Sequence, residues 1–149
     1  MKNIIAKSIE KILIDWLNPT NTVKTKITKS KLAKNIVPKN EWPEFMQTHN
    51  EIKNIYVGCC VHTGEWSDVP RPNSAHTHTR GKYRGIICFR TMKDLQKKTT
   101  CWHELAHVLS SDHSNHGHNR VWAEQYVKLV NGEKKWLTVE WLQKKYKFK

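Results

Sequence analysis

Residues 101–122 read CWHELAHVLSSDHSNHGHNRVW, in which His103, Glu104 and His107 form the pattern H-E-x-x-H. On a helix, two histidines four residues apart project from one face and can grip one metal ion, with the glutamate on the next position round. This is the arrangement of a zinc-activated water with its general base alongside. Composition alone would produce the pattern in roughly 0.03 of chains of this make-up, so its surroundings have to support it.

Those surroundings are favourable. His103 to Ser110 contains neither Gly nor Pro, and Leu105, Ala106, Val108 and Leu109 suit a mostly buried helix. Upstream, residues 85–89 (GIICF) form a short apolar, β-branched run that reads as a strand, and residues 90–98 lead from it into the helix. A strand beside a metal-bearing helix is one way to build a cleft.

A hydrolytic zinc site needs three protein ligands and one open position. The third ligand must come from His113, His116 or His118. His113 follows His107 at the spacing of the extended metzincin motif, but Ser110 stands where that motif turns on glycine. His118 precedes Trp122 by four residues. If a second helix begins near Asn119, both can share its inner face, with the indole packed behind the imidazole. The segment 111–117 is polar and turn-rich, as a loop between two helices would be. The ranking is His118, then His113, then His116.

The stretch HELAHVL, followed by a loop and then HGHNRVW, resembles the compact zinc metallopeptidases of the SprT-like and WLM type, including small members carried by phages. Residues 75–79 (AHTHT) followed by GIICF are also similar to the strand region of the phage-type members. The resemblance spans Ser74 to Lys128. It implies His103, His107 and His118 as zinc ligands, Glu104 as general base and Trp122 as the aromatic packed on them. It further implies a small zincin-like domain that hydrolyses peptide bonds, with proteins attached to DNA as substrates.

The elements that must position these residues read as α+β, with a short antiparallel or mixed sheet packed on the metal helix and helices at both ends of the chain. All 149 residues suit one domain with a single core: a basic N-terminal helical region over 1–50, sheet and site helices over 51–130, and a C-terminal helix over 131–149. Ile5, Ile9, Ile12, Leu13 and Trp16 recur at helical spacing and predict an amphipathic helix over 3–17. Residues 23–34 allow either an exposed strand or a short helix. Pro38 and Pro43 mark an irregular passage anchored by Trp42 and Phe45. Residues 51–61 read as a buried strand with Gly58 as a bulge, and residues 75–79 as an alternating strand with His76 and His78 on one side. A helix over 119–130 ends at Asn131-Gly132, and a last helix over 137–148 takes Thr138 as N-cap.

His76 and His78 are candidates for holding substrate or an oxyanion near the zinc, although strand histidines are more often structural. Cys59, Cys60, Cys88 and Cys101 contain no C-x-x-C pair, and buried reduced thiols are preferred over a second metal site. Asp112 and Glu124 are the nearest acceptors, by sequence, for the ligands' other ring nitrogens.

Lys and Arg number 26 against 13 Asp and Glu, a net charge of +13. Such an excess attracts polyanions and adds a salt-dependent, sequence-blind affinity for DNA. The rival reading is therefore a basic nucleic-acid-binding protein in which zinc only staples the fold. No stretch has the length of a membrane span and no secretory signal is evident, so a cytoplasmic setting is expected, that of the host if the chain is viral.

Overall fold

The computed structural model of the chain describes residues 35–58, 60–62, 74–111 and 117–149. The segments expected as an amphipathic helix (3–17) and as a strand or short helix (23–34) lie outside the described residues. So do Asp112, His113, His116 and Cys59. Among the described residues the architecture is α+β, with one four-stranded mixed sheet and five helices.

The strands are β1 (Ile36–Val37), β2 (Asn54–Val57), β3 (Ala75–His78) and β4 (Ile86–Phe89), in the order β1-β2-β4-β3. β1 runs antiparallel to β2, β2 parallel to β4, and β4 antiparallel to β3. Side chains alternate across a strand, so each one serves two faces. Ile55, Ala75, Ile87 and Phe89 join the core between sheet and helices, while Tyr56, Ile86 and Cys88 form a smaller cluster on the other face.

β2 is shorter than the run of apolar residues around it. Gly58 has φ +83° and donates its N–H to Phe89 O at 2.9 Å, so it ends the parallel ladder instead of bulging within it. Gly85 is required for a different reason: a Cβ there would lie 2.7 Å from Glu51 O. Its own backbone bonds to Lys53 N and His78 O set the start of β4 against both neighbouring strands.

The passage expected to be irregular contains a 3₁₀ turn (Lys39–Glu41) and α1 (Glu44–Gln47), entered through Pro38 and Pro43. Proline fits these entries because the N–H it lacks has no helical partner there. Trp42 is buried and donates its indole N–H to Val37 O at 2.8 Å, and the Phe45 ring sits 6.2 Å from that of Trp102. Both anchors act as their aromatic character predicts.

The remaining helices are α2 (Met92–Leu95), α3 (Lys98–Ser110), α4 (Arg120–Val130) and α5 (Val139–Tyr146). Thr91, Asn119 and Thr138 cap α2, α4 and α5, each accepting from a backbone N–H three residues on. Asn131 at φ 45° closes α4 in the left-handed conformation that asparagine tolerates.

α3 is apolar on two sides, and this decides where its histidines go. Cys101, Leu105 and Val108 pack on the sheet, whereas Trp102 and Ala106 pack against Trp122, Ala123 and Tyr126 of α4 and Leu142 of α5. Each stripe recurs at i, i+4 or i, i+3, so the stripe left over is His103 and His107, with Glu104 at its edge. Among the described residues no helix is long and apolar enough to cross a membrane.

Candidate metal centre and its cleft

His103 and His107 stand one turn apart on α3, with ring centroids 5.0 Å apart. His118 reaches the same point from the residue before the α4 cap. Asn119 is buried and accepts from Trp122 N at 2.9 Å, so the bond that starts the helix also fixes where His118 leaves the chain. The Nε2 atoms of His118 and His103 are 3.0 Å apart, and one ring nitrogen from each of the three histidines lies within 4.8 Å of the others. Two nitrogens held tetrahedrally at zinc–nitrogen bond length would be about 3.3 Å apart, so the donor set fits one such ion.

The electrostatics suit ligation. Burial, then the neighbouring His118 and Lys145, lower the His103 pKa to about 3; burial, then His103 and His118, do the same for His107. His118 is lowered as well, by burial and Lys145. All three rings are therefore neutral near pH 7, with lone pairs available to a cation.

Aromatic rings hold the imidazoles in place. Trp122 is completely buried, with centroids 4.4 Å from His118, 4.9 Å from His103 and 5.4 Å from His107, on which it stacks at 26°. Its indole N–H donates to His103 O at 3.3 Å. Tyr146, near the end of α5, lies 4.1 Å from the His118 ring. Tyr126 spends its hydroxyl on Thr99 O at 3.3 Å.

Glu104 is 5 % exposed. Thr77 of β3 donates its hydroxyl to Glu104 Oε2 at 2.8 Å and also sits 3.0 Å from Glu104 O, tying the sheet to the helix at the carboxyl. Burial pushes the carboxyl up to about 7, against the opposing pull of the Thr77 hydrogen bond. A cleft of about 600 Å³ opens over these groups, bounded by β3 on one side and by Lys145 and Tyr146 on the other.

The structure thus brings His103, Glu104, His107, His118 and Trp122 together. Glu124 is not a partner of the histidines: it pairs with Arg120 Nε at 3.0 Å, one turn away on the exposed face of α4. His76 and His78 do share a side of β3, as alternation requires, but their Nε2 atoms meet Cys60 and Cys88 on the face of the sheet opposite Glu104. Cys60 and Cys88 are buried, free thiols as expected, and they also belong to a second group able to hold a metal ion. Cys101 remains a buried thiol, donating to Leu95 O at 2.9 Å, with burial and then the charge of Glu104 pushing its pKa up to about 12.

Thr77 and Tyr146 were missed at the level of sequence. Thr77 carried a readable signal, since it alternates with His76 and His78 and must face the other way. Tyr146 carried none, because its approach to His118 depends on how α5 packs. No protein-family model, curated protein or solved structure matches this chain.

Proposed function

We propose that the chain is a zinc-dependent peptidase with His103, His107 and His118 as metal ligands, Glu104 as general base and a small zincin-like fold around them. The observation that carries the reading is the meeting of three neutral imidazoles beside a buried carboxyl at the floor of a cleft. A zinc ion held there would supply Lewis acidity, polarising a peptide carbonyl and making water easier to deprotonate.

The protein's own groups do the rest. Glu104 takes a proton from the attacking water and delivers it to the amide nitrogen as the carbon–nitrogen bond breaks, leaving a carboxylate and an amine. Thr77, which lines the cleft beside Glu104, holds Oε2 in place through its 2.8 Å hydrogen bond. β3 lies at the edge of the sheet among the described residues, so an extended peptide can align with its backbone along the cleft wall.

The test uses the full chain loaded with zinc and an unstructured fluorogenic peptide library. Cleavage is expected, is lost on chelation and returns with added zinc. His118→Ala is expected to lose both that metal and the activity. A zinc-loaded, folded protein that cleaves none of the peptides would refute the proposal.

One observation favours a DNA-directed version of this activity. Besides the +13 charge, the exposed Trp136 and Trp141 meet edge to face at 4.7 Å beside the cleft, with Lys134 and Lys145 over their rings. Aromatic faces flanked by cations suit unstacked bases of single-stranded nucleic acid. Single-stranded DNA is expected to bind at low salt, with affinity falling about tenfold or more in Trp136→Ala. Binding that ignores both salt and Trp136 would remove DNA from the proposal. If DNA binds while no peptide is cleaved, the rival reading of a nucleic-acid-binding protein with structural zinc takes its place.

A further inference from the structure

The strongest unassigned chemistry lies on the opposite face of the sheet. His76 and His78 alternate with Thr77 on β3, and the antiparallel register sets His76 directly across from Cys88 of β4. Cys60 arrives just beyond the left-handed turn at Gly58, which ends β2 and lets the chain cross toward β3. Three separate stretches of chain thus deliver two thiols and two imidazoles to one point.

The distances at that point match tetrahedral ligation better than a hydrogen-bonded cluster. The Nε2 atoms of His76 and His78 are 3.3 Å apart. Cys60 Sγ lies 3.2 Å from His76 Nε2 and 3.5 Å from His78 Nε2, and Cys88 Sγ lies 3.6 Å from His78 Nε2. Four ligands on one zinc, with nitrogens at 2.0–2.1 Å and sulfurs at 2.3 Å, would stand about 3.3 Å apart for N···N and about 3.6 Å for S···N. A single imidazole N–H, by contrast, can serve only one of these neighbours well.

Charge and surroundings agree with that geometry. Cys60 is 4 % exposed and Cys88 is fully buried. Two thiolates neutralise one Zn²⁺, so the complex carries no net charge into the interior, where an unpaired ion would be costly. The backbone N–H of His62 donates to Cys60 Sγ at 3.4 Å, a contact that favours the thiolate. Among the described residues the apolar cluster on this face is small: Tyr56, Cys60, Ile86 and Cys88, with Val61 and Tyr83 partly buried against it. A metal is an effective substitute for a core where so little apolar surface is available.

We infer that Cys60, His76, His78 and Cys88 form a closed, structural Cys₂His₂ zinc site, distinct from the three-histidine centre across the sheet. Four protein ligands leave no position for water, so the site staples the segment that follows β2 to β3 and β4 and takes no part in hydrolysis. Its position gives it an indirect influence on the cleft, because Thr77 between the two histidines is the residue that holds Glu104.

The test is cobalt substitution of the full chain. Cobalt(II) bound by two thiolates gives an intense near-ultraviolet sulfur-to-metal band, which a three-histidine site cannot give. The band is expected in the native sequence, in His107→Ala, and in Cys59→Ser and Cys101→Ala, and it is expected to be lost in Cys88→Ser. Zinc content is expected to be about two per chain, falling to about one in His107→Ala. Absence of the band from the native protein would overturn the inference, as would isolation of Cys60 and Cys88 as a disulfide. If Cys88→Ser does not fold, the native spectrum and His107→Ala still decide.

Discussion

Glu104→Gln is expected to retain zinc and fold normally while losing peptide cleavage by about 10³-fold or more, within the range general-base catalysis supplies together with water positioning. The side chain is nearly isosteric, and Gln can still accept the Thr77 hydroxyl through its amide oxygen, so the contact between β3 and α3 survives. What disappears is the group able to take a proton from water. Thermal stability should be unchanged or raised, because the native carboxyl is buried deeply enough to resist ionisation, with its pKa at about 7, and the amide carries no such cost. Zinc content, melting temperature and cleavage rate of the same preparation check all three points. Undiminished cleavage would remove Glu104 from the reaction, and loss of zinc would show that the carboxyl serves the metal instead of the proton.

Trp122→Ala is expected to be the most destabilising single change near the site, at about 3–5 kcal/mol by analogy with other buried large-to-small substitutions. The indole is fully buried between α3 and α4, touches all three histidine rings and donates to His103 O. Alanine leaves a cavity beneath the imidazoles and removes the indole's added hydrogen bond to a carbonyl already inside the α3 ladder. Metal affinity should fall along with stability, because the rings lose the surface that holds their orientation. Trp122→Phe should recover most of the stability, since it refills the cavity, but not the hydrogen bond. Denaturant unfolding with and without zinc measures both effects. A cost below about 1 kcal/mol for the alanine variant would show that the indole does not support the centre.

Much of the path from sequence to site was legible because it rests on short-range rules. The apolar periodicity of α3, the Asn119 and Thr138 caps and the stop at Asn131 all follow from contacts three or four residues apart, which a linear reading contains. The closeness of His118 to Trp122 follows from the same short-range rule. The Asn119 cap stands between His118 and the first turn that carries Trp122, so the positions of the two rings are set together.

Elements that depend on partners were less legible. The strand read over 51–61 shrank to Asn54–Val57, because strand ends are set by where the neighbouring β4 stops offering hydrogen bonds and not by the apolar run itself. The residues around Pro38 and Pro43 read as irregular because proline interrupts longer helices, whereas at the cap just before a single turn it does no harm.

By itself, then, the sequence determined the helix that carries His103 and His107, the starts of α4 and α5 and the H-E-x-x-H face, since i, i+4 geometry is a property of any helix these residues form. Only the tertiary structure decided that Tyr146 comes to rest on His118, that Thr77 grips Glu104, and that Cys60, His76, His78 and Cys88 share one point. Those meetings depend on the parallel pairing of β2 with β4 and the register of β3 on β4, and on the packing of α5 against α4. Such long-range alignments are selected by burial of the whole core, and no spacing along the chain records them.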